Sequence, residues 1–278
     1  MLSQLGSEAR LLAGGQSLIP LMKLRFTNPS DLVDLNFISG TSYIREDAGT
    51  LRFGPLTRHS EIADSSLVAK VPILHDCAAG IADVQVRNRG TIGGSLAEAD
   101  PSGDWAVALA TLSTEVRCLG KSSEHTISLK DFIKDAYTTA LAPEEIVSEV
   151  SVQVPAKGSG GAYLAFKRAA PVYPTASVAV QLTMHGDTCT DAAIALGCVG
   201  LTAIRASEAE AALRGKTVTG REVAAAAEAG QAAADPQPDM RGSVEYKRNL
   251  IGALVQRAIG IALRRARGEQ VESGHIYA

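Results

Sequence analysis

The sequence predicts a protein of mixed α and β structure, in which a small α+β domain follows a domain of alternating short strands and helices. Up to about Pro155, strand-like runs alternate with short helical segments. Beyond a glycine-rich stretch at 156–161, three strand-like runs precede alanine-rich helical ones, an order typical of an α+β domain. The chain has 278 residues, of which 46% are apolar, so it can build one large domain or two ordinary ones.

In the first part, strands are predicted from alternation with period two and helices from their capping residues. Thr57 is the expected N-cap of one helix, Pro72 opens a second and Asp104 opens a third. The predicted strands are 10–12, 31–35, 50–54, 114–119, 125–129 and 146–154, and the predicted helices are 57–63, 72–79 and 104–112. Strand 10–12 leads directly into a glycine loop.

The second part begins after a predicted linker or long turn at 156–161, where glycine is concentrated between two strand patterns. The predicted strands are 162–168, 176–185 and 192–199, and the predicted helices are 204–213, 221–234 and 243–267. The last helix is amphipathic, because its leucines, isoleucines and alanines recur on one face. Three strands followed by helices complete the predicted α+β domain.

Charge and composition exclude several classes of protein. The chain has 27 basic and 30 acidic residues and a formal net charge of −3, which argues against nucleic-acid binding. The basic cluster at 257–267 is interpreted as the solvated end of a helix. No apolar run approaches the roughly 18–20 residues of a membrane span, and the start carries no secretion signal, so a cytoplasmic protein is expected.

Metal ligands with the usual spacings are missing from the sequence. Its four cysteines, at 77, 118, 189 and 198, form no Cys-x-x-Cys pair, and its five histidines form no His-x-x-x-His pair. The chain is therefore expected to carry no metal or iron–sulfur cluster of its own. Aromatic residues make up only 4% of the chain, so a ligand is expected to be held mainly by backbone and aliphatic groups.

Two segments with paired glycines are the candidates for chemistry. The first covers 11–20 with the letters LLAGGQSLIP, and the second covers 87–96 with RNRGTIGGSL. Glycine permits positive φ and close approach of a ligand, and successive amides can then form a concave site for phosphate oxygens. Taken alone, a Gly-Gly pair after a strand is more often a tight turn than a phosphate site. Neither has the Rossmann or P-loop spacing, so the residues themselves indicate at most a phosphate-containing cofactor.

Longer motifs around these loops resemble a known family. The chain is similar to the FAD-binding medium subunit of molybdenum hydroxylases in five stretches. They are 12–25, 87–97, Asp-Pro-Ser-Gly-Asp at 100–104, 163–168 and 239–248. The resemblance implies the two-subdomain FAD-binding fold of the vanillyl-alcohol oxidase (PCMH) type over 1–157. It also implies a C-terminal α+β domain of three strands and helices over 158–278.

The resemblance also implies which residues bind FAD. Those around the pyrophosphate and ribityl chain would be Leu11, Leu12, Ala13, Gly14, Gly15, Gln16, Ser17, Leu18, Thr91, Ile92, Gly93, Gly94 and Ser95. Asp104 would hold the flavin or the ribityl hydroxyls, Ile81 would pack on the cofactor and Val147 would line it. Lys167 would lie near the isoalloxazine, where a cation stabilises the reduced flavin; the alternative for Lys167 is a solvated strand lysine.

Three departures from the family pattern accompany the resemblance. Relatives normally begin with a further strand and helix, so the first subdomain is expected to be shortened or truncated. Glu98 stands where many relatives have an uncharged group or histidine, which puts an acid near the second loop. The segment 171–174 also differs, and Tyr173 within it is a candidate either for flanking the flavin or for plain packing.

The function implied by the resemblance is electron transfer. The chain would accept electrons from 2Fe–2S clusters of a small partner subunit, while a large partner would hold the molybdopterin, in a dimer of heterotrimers. Its FAD would be noncovalent, because no histidine or cysteine lies beside either loop, and no residue is named as catalytic. Two alternatives stay open: a self-sufficient flavin oxidoreductase of the same fold, and a scaffold subunit without flavin.

Overall fold

The computed structural model describes residues 2–6, 8–274 and 276–277. Its helices are α1 (Leu2–Leu5), α2 (Leu18–Lys23), α3 (His59–Ala63), α4 (Pro72–Gly80), α5 (Val84–Arg87), α6 (Ile92–Glu98), α7 (Asp104–Leu109), α8 (Leu129–Phe132), α9 (Ser207–Leu213), α10 (Gly220–Ala233) and α11 (Val244–Ala266), with a 3-10 turn at Val68–Lys70. None of the helices in these ranges is long and apolar enough to cross a membrane.

The strands form two five-stranded sheets and two smaller pairs. They are β1 (Arg10–Leu12), β2 (Leu32–Asp34), β3 (Ile44–Asp47), β4 (Thr50–Phe53), β5 (Thr114–Leu119), β6 (Glu124–Ser128), β7 (Ile133–Asp135), β8 (Thr138–Thr139), β9 (Ile146–Gln153), β10 (Ser159–Lys167), β11 (Ala176–His185), β12 (Thr188–Gly197), β13 (Ile204–Arg205) and β14 (Ile276–Tyr277).

The first half of the chain consists of a small parallel pair and an antiparallel sheet. Strands β1 and β2 pair in parallel, and the sheet has the order β3-β4-β9-β5-β6. Side chains of β5 alternate between buried and exposed, as expected of a strand with one face on the core. Trp105, Phe53 and Phe132 are fully buried in that core, which α4, α6 and α7 help to enclose.

The second half is an antiparallel meander, β10 to β12, covered on one side by the long helix α11. The other side of β10 faces α4 of the first half. Since side chains alternate along a strand, Ala162 and Leu164 join the second core, whereas Tyr163 and Ala165 join the first. Lys167 has the same parity as Tyr163, and therefore also points towards the first half of the molecule.

Several predicted boundaries are wrong for identifiable reasons. Thr57 is not an N-cap: its hydroxyl donates to the carbonyl oxygen of Tyr43 at 2.9 Å, and α3 begins two residues later with Arg58 as its cap. The predicted helix 204–213 begins at Ser207, because Ile204–Arg205 instead adds an edge strand to β12. The predicted linker 156–161 is shorter, since residues 159–161 already belong to β10.

Candidate functional site

The two glycine loops meet at a cleft of about 260 Å³ that both halves of the chain line. A volume of this order is near the lower end of the range for small-molecule sites, about 300–1,000 Å³. The predicted residues that line it are Leu11, Ala13, Gly14, Gly15, Gln16, Ser17, Leu18, Ile81, Thr91, Gly94, Ser95, Asp104 and Lys167. The lining residues outside that set are His59, Ala82, Val86, Gly90, Glu98, Asp100, Gly103, Pro171, Val172 and Tyr173.

The first loop connects β1 to α2, lines the cleft, and contains amides without a protein acceptor in the part of the chain that the structure describes. Gly15 adopts a φ of +74°, a left-handed conformation that glycine allows without steric cost. Within the described ranges, the amide groups of residues 14–17 donate no hydrogen bond to protein acceptors. Ser17 precedes α2 but its side chain makes no capping bond. Four successive free donors form the kind of concavity that binds an anion.

Backbone packing between the loops explains why residue 14 is glycine. A Cβ at position 14 would overlap the carbonyl oxygen of Arg89 and would lie 2.7 Å from the Cα of Gly90. The same junction is tied by side chains, because Arg58 donates to the carbonyl oxygen of Arg89 and, at 2.5 Å, to Oδ1 of Asn36. The side-chain amide of Asn36 in turn donates to the carbonyl oxygen of Ala13 at 2.9 Å.

The second loop differs, because the protein already engages its amides at residues 92–95. The amides of Ile92 and Gly93 donate to the carbonyl oxygens of Thr57 and Pro55 at 3.1 and 3.0 Å. Those of residues 94 and 95 donate to the side chain and the backbone of Thr91, which caps α6. The prediction that both loops offer free amides is therefore wrong for residues 92–95 of the second loop. What that loop offers the cleft is side-chain oxygen, from Thr91 and Ser95.

Four predicted residues do not line the cleft: Leu12, Ile92, Gly93 and Val147. Gly93 faces the neighbouring turn, where an added Cβ would lie 2.6 Å from the carbonyl oxygen of Pro55. Val147 lies in β9, paired with Cys118 of β5, and its side chain packs into the first core. The expectation that Val147 lines the cofactor from a strand edge thus disagrees with its place inside the sheet.

Lys167 enters the cleft from β10 as a buried cation. Its side chain is only 3% exposed, so the alternative of a solvated strand lysine is wrong. The Nζ atom donates to the carbonyl oxygen of Gly80 at 2.5 Å and lies 3.9 Å from Oδ1 of Asp104. That carboxylate, at the start of α7, also accepts from the hydroxyl of Tyr163 at 2.6 Å. A buried charge of this kind is tolerated where an opposite charge and hydrogen bonds accompany it.

The turn that follows α4 is held in place from both sides. Ala82 adopts a φ of +39°, and Arg87 donates to the carbonyl oxygens of Ile81 and Ala82 at 2.8 and 3.1 Å. Lys167 binds the carbonyl oxygen of Gly80 immediately before them. The apolar side chains at positions 81 and 82 therefore form a rigid wall of the cleft next to the lysine ammonium.

Acidic and aromatic side chains gather at another part of the lining. Burial and the nearby Asp100 carboxylate raise the pKa of Glu98. Burial and the same carboxylate also raise the pKa of Tyr173. The guanidinium of Arg241 lies 5.9 Å from the centre of the Tyr173 ring and donates to the hydroxyl of Ser102 at 3.2 Å. Arg241 thus links the loop before α11 to this part of the cleft.

Sequence reasoning missed His59, Asn36 and Arg58. Each is brought to the loops only by folding, from a segment distant in sequence, and none lies in a recognisable motif. Among the described residues, no group of three or more His, Cys, Asp or Glu side chains could hold a metal ion. The four cysteines are free thiols. The chemistry of the cleft is therefore that of amides, hydroxyls, one buried ammonium and several carboxylates.

Comparisons with known proteins identify the family of the chain. Residues 1–157 match the FAD binding domain in molybdopterin dehydrogenase, and residues 161–262 match the CO dehydrogenase flavoprotein C-terminal domain. The chain is 38% identical to the 6-hydroxypseudooxynicotine dehydrogenase complex subunit alpha of Paenarthrobacter nicotinovorans, over 99% of this chain and 94% of that one. It is 39% identical to the carbon monoxide dehydrogenase medium chain of Hydrogenophaga pseudoflava, over 95% and 93%.

A solved structure of the carbon monoxide dehydrogenase of Hydrogenophaga pseudoflava superposes with a TM-score of 0.92 at 41% identity, covering 95% of this chain and 92% of that one. The quinoline 2-oxidoreductase of Pseudomonas putida 86 superposes with a TM-score of 0.90 at 35% identity, over 95% and 92%. These findings confirm the resemblance and the expected fold class. The chain belongs to the FAD-binding medium subunits of the molybdenum hydroxylases, a family of oxidoreductases.

Proposed function

We propose that the cleft binds FAD noncovalently and that this chain passes electrons from iron–sulfur clusters of a partner through FAD to an external acceptor. The observation that carries the proposal is the run of free amides at 14–17, placed against the hydroxyls of Thr91 and Ser95. Amides and hydroxyls are the donors that phosphate and sugar oxygens require. Gly14 keeps this junction tight, because any side chain there would separate the loops.

The pyrophosphate would lie along the first loop, and the isoalloxazine would lie by Ile81 and Lys167. When bound, FAD supplies reversible uptake of two electrons. Lys167 is positioned to favour negative charge on the reduced ring, because its ammonium is buried and fixed by Gly80 and Asp104. Asp104 and Tyr163 would orient polar atoms of the flavin or ribityl chain. Leu12, Ile92 and Gly93 would support the loops from behind, and Val147 would act through the core.

The partners of this chain are proposed from its relatives and from the composition of its cleft. Relatives are named as a medium chain and as a subunit of a dehydrogenase complex, and the described part of this chain has no cluster of metal-binding side chains. We infer a small 2Fe–2S subunit and a large molybdopterin subunit, assembled as a dimer of heterotrimers in the cytoplasm. We also propose that the FAD domain ends at residue 157 and the C-terminal domain spans 158–278.

Visible absorption of the purified protein tests the cofactor. The chain is expected to show flavin bands, or to acquire them in a 1:1 ratio after incubation with FAD, and to release the flavin intact on denaturation. A protein that stays colourless in excess FAD would overturn the proposal and leave the flavin-free scaffold. The carboxylates of Glu98 and Asp100 in the lining are the feature that would favour that alternative, since they oppose an anionic cofactor.

Co-purification tests the role as a subunit. When a tagged form of this chain is expressed together with the genes beside its own, two further proteins should co-purify with it. Analysis of the purified complex should detect iron, sulfide and molybdenum. The isolated chain should not oxidise substrates of the whole complex. If the isolated chain oxidises a substrate by itself, the self-sufficient flavin oxidoreductase is the correct function.

A further inference from the structure

His59 is a buried polar side chain on the cleft that the proposed cofactor contacts leave unused. It opens α3 and is only 5% exposed, yet it lies on the cleft lining. Its backbone amide donates to the carbonyl oxygen of Gly90 at 3.1 Å, immediately before the second glycine loop. The imidazole is therefore fixed to the loop by its own main chain.

The tautomer of His59 is determined by Trp105. The indole Nε1–H of Trp105 donates to Nδ1 of His59 at 3.1 Å. Because an indole nitrogen is a donor only, Nδ1 must be the acceptor and carries no proton. A neutral imidazole has one proton, which must then be on Nε2. His59 thus presents a fixed N–H donor at Nε2, and no partner accepts it within the part of the chain that the structure describes.

The neutral state is reinforced by the surroundings. Burial, together with the positive charges of Arg58 beside it and Arg87 at the end of α5, lowers the pKa of His59 to about 3. The neighbouring groups on α7 are the uncharged indole and, one residue earlier, Asp104. Protonation would also place an N–H on Nδ1, directly against the indole donor. The imidazole therefore stays neutral throughout the physiological pH range.

The Nε2 edge faces Gly90, and the glycine keeps that edge open to the cleft. A Cβ at position 90 would lie 2.6 Å from Nε2, so any other residue would cover it. Gly90 is also the residue against which Gly14 of the first loop packs. The unused donor consequently lies at the junction where the free amides and the hydroxyls come together.

We propose that His59 is a further cofactor-binding residue, whose Nε2–H donates to a phosphate oxygen of the dinucleotide at the loop junction. This inference rests on the proposed function, because it requires a diphosphate in the cleft. It adds a nitrogen donor from α3 beside the second loop, where the amides of residues 92–95 are occupied. Trp105 is the positioning residue that keeps this donor on Nε2.

Two substitutions separate the donor from the rest of the ring. His59→Gln retains a side-chain N–H in the region of Nε2, whereas His59→Asn retains an acceptor for Trp105 but not the distal donor. A hydrogen bond to a charged group contributes about 1.5–3 kcal/mol, so His59→Asn should weaken binding by about 10- to 100-fold. His59→Gln should stay within about threefold of the wild type.

Binding is measured by calorimetry on the apoprotein with three probes: FAD, ADP and riboflavin. His59→Asn should weaken FAD and ADP alike and leave riboflavin unchanged, and the exposed-site control His125→Asn should change none of them. Equal affinity of His59→Asn and wild type for ADP would overturn the inference, as would equal losses for ADP and riboflavin. If the wild type binds neither FAD nor ADP, the proposed function itself fails. Failure of the proposed function is therefore distinguishable from failure of the inference about His59.

A measurement on unmodified protein covers the case in which a variant does not fold. In long-range ¹H–¹⁵N spectra, the His59 side chain should show the Nε2–H tautomer between pH 6 and 8, and its Nε2 resonance should shift when ADP is added. An Nδ1–H tautomer would also overturn the inference, as would an Nε2 chemical shift that does not change at saturating ADP.

Discussion

Replacing Arg265 with alanine should destabilise the protein by about 3–5 kcal/mol, the usual cost of removing one partner from a buried ion pair. The guanidinium of Arg265, near the end of α11, donates to the two carboxylate oxygens of Asp76 in α4 at 2.5 and 3.0 Å. The two side chains are 7% and 2% exposed. The pair joins the second half of the chain to the helix whose end forms the cleft wall.

The structure indicates why the cost lies in this range rather than below it. Arg265 also donates to the carbonyl oxygens of Gly161 and Val271 at 2.7 and 2.6 Å. Without Arg265, the Asp76 carboxylate would still accept from the amide of Tyr163 at 3.2 Å and would still lie beside His75. The substitution therefore leaves a buried carboxylate without its main countercharge and two carbonyl groups without a donor.

The pH dependence of the loss follows from the carboxylate. Burial acts to raise the pKa of Asp76, but hydrogen bonds from His75 and Arg265 outweigh it and lower the pKa. The pair therefore stabilises the protein above the pKa of the unfolded carboxyl, and this contribution is lost as the pH falls towards the folded value. In Arg265→Ala the effect of burial is unchanged while the lowering effect of the guanidinium is lost, so the pKa of Asp76 rises and the carboxylate takes up a proton more readily. The difference between wild type and variant should shrink between pH 7 and pH 4.

Urea unfolding of the apoprotein, followed by circular dichroism, measures this difference. Arg264→Ala is the matched control, because the neighbouring arginine pairs with Glu269 at 2.7 Å where the side chains are 56% and 46% exposed, and such pairs contribute about 0–1 kcal/mol. The double variant Asp76→Asn with Arg265→Ala should lose less unfolding free energy than the sum of the losses of the two single variants. The reasoning would be refuted if Arg265→Ala lost no more unfolding free energy than Arg264→Ala, or if the losses of the two single variants added exactly in the double variant.

Three further predictions concern the cleft. Gly14→Ala should abolish FAD binding measured by fluorescence, since the new Cβ overlaps the backbone at residues 89–90, while Gly220→Ala, which has open space around it, should bind normally. Glu98→Gln should tighten FAD binding, because it removes a negative charge from the lining. Burial and Asp100 raise the pKa of Glu98, so the FAD affinity of the wild type should rise as the pH falls through that pKa. In titrations from pH 5 to 8, the variant should lose most of this dependence of affinity on pH. Lys167→Met should lower the two-electron flavin potential by about 30 mV or more, equivalent to about 1.4 kcal/mol, and an unchanged potential in spectroelectrochemistry would place the ammonium away from the ring.

The sequence predicted the parts of the site that depend on local pattern. The paired glycines identified both loops and a strand-like run identified β10, whereas Lys167 was predicted from the family resemblance. The state of the amides could not be predicted in this way, because Thr57 and Pro55, which occupy those of the second loop, lie in another segment. The capping role expected of Thr57 failed for the same reason, because its hydroxyl donates instead to the carbonyl oxygen of Tyr43, just before β3.

Residues missed by the sequence share a different property. His59, Asn36 and Arg58 act through side-chain hydrogen bonds to segments distant in sequence, and neither spacing nor residue type distinguishes them from ordinary surface or core positions. Val147 shows the opposite error, since its alternating pattern identified the strand but not which sheet face lies near the cleft.

The unequal state of the two loops has a physical consequence for how the cleft works. Unbonded amides facing a cleft are solvated when it is empty, and they lose that water favourably only to an acceptor that replaces each hydrogen bond. The amides of residues 92–95 in the second loop do not need such a replacement, because Thr91, Pro55 and Thr57 already accept their hydrogen bonds. In the proposed binding mode the second loop would therefore offer preformed hydroxyl groups, whereas the amides of the first loop would make binding selective for an anion. Lys167 comes from β10, in the second half of the chain. In the proposed binding mode, its effect on the flavin would therefore depend on the contacts that join the two halves, among them the ion pair of Asp76 with Arg265.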